Sequence, residues 1–297
     1  MKNFLSRIKN GEILIGHGAM GTILMEKGLK AGECPENLNV NNPSLLEEVA
    51  QLYIQAGSDI IDTNTFGASP LKLSAYGLEK ETDLINKNAV LAVKKSIGEK
   101  ENIYVSSSCG PSGKMLKPYG DIGAQKMYDN FYTQLESLIK AGTDIICIET
   151  MIDIEEAKLA IKAAKDICTN IPVIATMTFD DIKRGFYTPM GINIENAAKK
   201  LEQAGADIIG SNCGNGIDNM VKIAQEFKQY SNLPIIIQSN AGLPKIDKDK
   251  VYYSETPEYM AEKAKKLVKM GVSIIGGCCG TTPDHIKAFK EMVRAAK

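Results

Sequence analysis

One phrase recurs four times along this chain: Ala56-Gly-Ser-Asp-Ile-Ile61, Ala141-Gly-Thr-Asp-Ile-Ile146, Ala204-Gly-Ala-Asp-Ile-Ile209 and Met270-Gly-Val-Ser-Ile-Ile275. Each copy follows a stretch of helical periodicity, as at residues 45–55 and 260–269, and leads into an apolar, β-branched run. The glycine suits a left-handed helix stop. Four further apolar runs, at residues 13–15, 103–105, 173–175 and 235–237, bring the candidate strands to eight. They are spaced by roughly 30 to 45 residues, which leaves room for a helical crossover, and they lack polar alternation, as strands covered on both faces do. Eight such units in one chain predict an α/β fold, a single (βα)8 TIM barrel spanning residues 1–297 without linker or second domain.

A composition with 44% hydrophobic and 24% charged residues supports a large core. Thirty-five basic against 36 acidic side chains leave none of the basic excess that a nucleic-acid partner requires. The opening MKNFLSRIKNGEILIGHG has no apolar run of leader or membrane length, so the expected setting is the cytoplasm, with no membrane partner. Seven cysteines in such a setting point to metal or thiol chemistry rather than disulfides, and a bridge between the adjacent Cys278 and Cys279 would be badly strained.

The unusual segments all follow the candidate strands: Gly18-Ala19-Met20-Gly21-Thr22 after His17, Asn64-Thr65-Phe66-Gly67, Cys109-Gly110-Pro111-Ser112-Gly113, Glu149-Thr150, Met177-Thr178-Phe179, Asn212-Cys213-Gly214, Ser239-Asn240-Ala241-Gly242, and Gly276-Gly277-Cys278-Cys279-Gly280. The carboxyl ends of barrel strands form one mouth, so these segments should converge there. Cys213 after the sixth strand and the Cys278-Cys279 pair after the eighth come from next-but-one neighbours around the barrel. The glycines flanking the pair supply the backbone freedom that could turn both sulfurs to one ion. Three thiolates match zinc with a fourth position open, which implies catalysis. They also place about three negative charges on a doubly charged ion, which suits holding a substrate thiol as thiolate better than activating water. Cys34, Cys109, Cys147 and Cys168 have no ligand-like spacing and read as ordinary buried thiols.

With these residues in view, Gly276-Gly-Cys-Cys-Gly-Thr-Thr-Pro-Asp-His285 and the upstream Asn212-Cys213 resemble the homocysteine S-methyltransferase family, with a particular likeness to the homocysteine-binding domain of cobalamin-dependent methionine synthase. Further matches are Gly18-Ala-Met-Gly-Thr22, Thr63-Asn-Thr-Phe-Gly67, Gly110-Pro-Ser-Gly113, Met177-Thr-Phe179 and Asn240-Ala-Gly242. The resemblance implies a zinc barrel that methylates L-homocysteine to methionine, with Cys213, Cys278 and Cys279 as metal ligands and catalytic centre. It also implies that Glu149 receives the substrate ammonium beside Asn240, and that the turn Gly18, Ala19, Met20, Gly21 and Thr22 holds the substrate carboxylate through backbone amides. Asn64 and Phe66 are expected to line the pocket.

The family's usual Asp before that turn is His17 here. A histidine removes an acceptor charge and leaves two orientations open, toward the amino acid or toward the metal. Residues 282–285 read instead as a helix start, with His285 structural. The chain reaches Lys297 without the Asp-x-His-x-x-Gly signature of a histidine-on corrinoid module. The methyl donor is therefore expected to be methylcobalamin on a separate corrinoid protein. The alternatives are a small sulfonium or betaine donor, or a non-catalytic thiol- or metal-binding barrel.

Overall fold

The computed structural model describes residues 3–247 and 250–296. Eight strands form one parallel sheet: Leu14–Ile15, Ile60–Asp62, Tyr104–Cys109, Ile145–Met151, Val173–Met177, Ile208–Asn212, Ile235–Ser239 and Ile274–Gly277, here the first to the eighth. Their hydrogen-bonded order is first, eighth, seventh, sixth, fifth, fourth, third, second, the order of a TIM barrel with one seam between the first and second strands. A helix follows each strand, from Pro43–Ala56 after the first to Pro283–Ala295 after the eighth.

Alternation along each strand divides the core. Leu14, Ile60, Tyr104, Ile145, Ile174, Ile208, Ile236 and Ile274 pack together inside the barrel, while their neighbours Ile15, Ile61, Val105, Ile146, Val173, Ile209, Ile235 and Ile275 face the helices. Phe4 and Ile8 of the short helix Phe4–Lys9 cap the inner cluster from the amino-terminal end of the strands. That end is thus plugged with apolar side chains, and polar chemistry is confined to the opposite mouth.

The repeated phrase has a mechanical meaning. Gly57, Gly142, Gly205 and Gly271 all take positive φ, between 69° and 99°, ending a helix as the sequence predicts. The aspartate that follows clamps its strand to the preceding one. Asp59, Asp144 and Asp207 each accept the backbone N–H of Ile15, Val105 and Val173, at 2.9, 2.8 and 2.8 Å, while their own N–H groups donate to the carbonyls of those same residues. In the fourth copy Ser273 stands at this position and only the backbone bond, to Ile235, is made.

Two antiparallel excursions decorate the rim where the sequence showed only loops: Asp180–Ile182 with Gly185–Tyr187, and Lys245–Asp247 with Lys250–Tyr252. No helix among the described residues is long and apolar enough to cross a membrane.

Candidate metal centre and acceptor pocket

The fold brings together the three cysteines that the sequence singled out. One sulfur of each of Cys213, Cys278 and Cys279 lies within 4.8 Å of the others, and this is the metal-competent group found among the described residues. Cys213 Sγ and Cys279 Sγ are 3.8 Å apart. Tetrahedral zinc with sulfur at about 2.3 Å requires a sulfur–sulfur edge of about 3.8 Å, so the donor set fits that ion in chemistry and spacing.

Backbone geometry makes this possible. The eighth strand ends at Gly277, and Cys278 and Cys279 lie on the turn beyond it, which releases them from strand alternation. Gly280 then takes φ +77°, and Tyr253 packs so tightly on it that a Cβ there would stand 2.1 Å from the ring. Cys213 itself adopts φ +59°, ahead of Gly214 at +73°. A left-handed non-glycine costs of order 1–3 kcal/mol, which the surroundings must hold in place. The seventh strand does so for both turns: Cys213 N–H donates to Gln238 O at 3.2 Å and Cys278 N–H to Ser239 O at 2.8 Å.

Electrostatically the trio calls for a cation. The Cys213 thiol is pulled far below the ordinary range by hydrogen bonds from Cys278 and Cys279, and those two are pushed up because they donate to it. Ionisation of more than one thiol in this partly buried site needs positive charge beside it. The Tyr253 phenol is pushed up to about 12 by burial and by the nearby thiolate charge, and it hydrogen-bonds Cys279.

Glu149 stands at the end of the fourth strand, bonded to the Ser108 hydroxyl and, at 2.9 Å, to Asn212 Nδ2. Burial, and then the charge of Asp62, push its carboxyl up to about 8. Asn212 is the hub that the sequence reading passed over. Its Oδ1 accepts from Thr150 N–H at 2.8 Å and from the Thr176 hydroxyl at 2.7 Å, and its Nδ2 donates to Glu149 and Thr150 and lies 4.0 Å from Cys278 Sγ. Thr150, like Cys213, is left-handed, at φ +59°. The hub thus holds one strained strand end and directly precedes the other. Its only sequence signal is the residue beside a predicted ligand.

Asn240 is buried and hydrogen-bonds Cys213 with its side chain, while its Oδ1 has no partner. The turn of residues 18–22 is fastened to the cysteine loop: Ala19 N–H donates to Thr281 Oγ1 and Gly280 N–H to Thr22 Oγ1, both at 3.1 Å. Gly18 lies where a Cβ would come within 2.8 Å of Thr281 and Tyr53, and the short helix after Met20, which begins at Gly21, has no side-chain cap. Phe66 sits on the rim with its ring over Gly110. Asn64 spends its amide on Pro35 O at 2.8 Å and Asn39 Oδ1 at 3.0 Å, a scaffolding position.

His17 is outside the sulfur cluster. Its ring stacks on Tyr53 at 5.1 Å, and its Nε2 lies 3.3 Å from Asp62 Oδ2. His285 completes a capping box with Thr282 and bonds Glu255 O, as its structural reading requires. Cys34 and Cys109 donate to Glu36 and Gln134, and Cys147 is buried in the lower barrel.

The barrel superposes on the metallated form of the homocysteine methyltransferase MmuM from Escherichia coli with a TM-score of 0.79, at 22% identity, covering 96% of this chain and 98% of that one. The apo form gives 0.76. Proteins named methionine synthase from Mycobacterium leprae and Mycobacterium tuberculosis are 30% and 31% identical over 93% and 96% of this chain. The chain spans about a quarter of the length of these relatives, 24% and 25%. The sequence profile described as homocysteine S-methyltransferase matches residues 14–293, nearly the whole barrel with both cysteine turns, and the chain belongs to that family of methyltransferases.

Proposed function

We propose that this chain is a zinc-dependent S-methyltransferase whose acceptor is L-homocysteine and whose product is methionine. The observation that carries the reading is the three-sulfur cluster with tetrahedral zinc spacing, together with the half-buried Glu149 carboxylate at the end of the fourth strand. Zinc, when bound by Cys213, Cys278 and Cys279, supplies a fourth position at which a substrate thiol loses its proton at neutral pH. The chain's own residues do the rest. Glu149 receives the ammonium, Asn240 faces the pocket with its free Oδ1, and the turn of residues 18–22 offers amides to the carboxylate. Held at three points, the amino acid leaves only its sulfur free to attack a methyl carbon, so orientation lowers the barrier. Chemistry of this kind needs reduced thiols, which favours the cytoplasm.

The donor we propose is a methyl-corrinoid on a separate protein or module. The supporting observation is the likeness to methionine synthases far longer than this barrel. The likeness to a homocysteine methyltransferase of matching length favours a second reading, a small sulfonium donor. Assay of the purified, zinc-loaded protein for methionine, with homocysteine and either methylcobalamin or S-methylmethionine, separates them. Turnover on the sulfonium alone overturns the corrinoid reading.

Glu149 yields a prediction with a defined sign. In the ligand-free protein it keeps its proton up to about pH 8, against an ordinary value of 4.5. Between those values the folded chain holds more protons than the unfolded one, so stability falls as pH rises through the window. Glu149→Gln should therefore gain stability relative to the parent as pH rises from about 5 to about 8, by urea unfolding, while losing homocysteine binding. A pH-independent difference would show that burial does not govern this carboxyl.

A further inference from the structure

We propose that Asp62 is a second carboxylate of the pocket that receives the acceptor's amino group, and that His17 positions it. The inference rests on the reading of the site as one for an α-amino thiol, and it assigns a specificity determinant within it. Ile60 faces the barrel interior and Ile61 the helices, so alternation turns Asp62 inward, one step nearer the mouth and opposite Ser106 of the third strand. Its side chain is 8% exposed and its one ion-pair partner among the described residues is His17, at 3.3 Å. Neither ring nitrogen of His17 makes a directed hydrogen bond, because stacking on Tyr53 fixes the ring plane.

Asp62 also acts at a distance. After burial, its charge is the largest influence raising Glu149, which places the two carboxylates within one electrostatic environment. Glu149 has no cationic side chain bonded to it among the described residues; its partners are Ser108 and Asn212. With no lysine or arginine bonded to it among the described residues, Glu149 keeps its proton beside the second inward carboxylate, so the mouth can take up one positive charge. A primary ammonium supplies it, with three donors to share between acceptors. A thiol lacking it would leave Glu149 protonated and bring no donor to Asp62.

The test compares homocysteine with 4-mercaptobutanoate, which keeps the thiol and the carboxylate but lacks the amine, by calorimetric binding to the zinc-loaded protein. Wild-type protein should prefer homocysteine by at least about thirtyfold, the loss typical when one partner of a buried charge pair is removed. Asp62→Asn should weaken homocysteine by a similar factor and leave 4-mercaptobutanoate within about twofold, whereas Asp62→Glu should retain most of the preference. His17→Asn should produce the same pattern at about fivefold, as a positioning residue does. Equal loss of both thiols in Asp62→Asn would make Asp62 structural and overturn the proposal. So would unchanged homocysteine binding in that variant. A wild-type protein that binds both thiols alike overturns the proposal without any variant having to fold. One that binds neither also overturns the acceptor reading itself.

Discussion

Cys278→Ala is expected to give a folded barrel that no longer retains zinc and methylates homocysteine about three thousandfold more slowly. Two effects multiply. A free thiol with pKa near 8.5 is only about one part in thirty thiolate at pH 7. Misplacing the nucleophile costs about a further hundredfold. The fold should survive, because the core is built from residues such as Ile61, Val173 and Phe289, remote from the sulfurs in kind and sealed by its own packing. Far-ultraviolet circular dichroism checks the fold, metal analysis after gel filtration the zinc, and a methionine assay the rate. Cys168→Ala, at the end of the helix Ile154–Ile167, is the matched control and should change none of them. Full zinc retention by Cys278→Ala would mean that the metal site is built from other ligands.

Much of this site could be read from the sequence, and the exceptions share a cause. The cysteines were legible because adjacent thiols flanked by glycine are rare and follow apolar runs. The barrel was legible because a phrase that stops a helix and starts a strand occurred four times. The contacts of Asn212 and Asp62 were not, since their partners lie 36 to 66 residues away and only closure of the barrel supplies them. Asn64 shows the converse. It lies in a motif at the mouth, yet its amide turns to Pro35 and Asn39, a choice made by local packing that no spacing reveals. Left-handed Cys213 and Thr150 carry no sequence signal either, because neither is glycine.

The repeated aspartate leads to the second large effect. Asp59 closes the one place where the barrel has no ladder, between the first and second strands. Its carboxylate accepts Ile15 N–H at 2.9 Å, Lys290 Nζ at 2.7 Å and Arg7 at 3.3 Å, with side-chain exposure of 11%. Asp59→Ala would leave a buried N–H unsatisfied and Lys290 without its anion, while Arg7 would keep Glu12 at 2.9 Å. Each loss is of the kind that costs most, and together they should lower the free energy of unfolding by about 3 kcal/mol. Asp207 makes the equivalent clamp to Val173 and pairs with Lys165, but its side chain is 30% exposed and the sheet is continuous there. Asp207→Ala should therefore cost about 1 kcal/mol. Urea unfolding of the two variants side by side decides the matter. If Asp59 is special because it carries the seam, its variant loses clearly more. Equal losses would mean that the phrase acts as a local strand start in every copy, and that closure depends instead on the apolar plug formed by Phe4, Ile8 and the inner isoleucines.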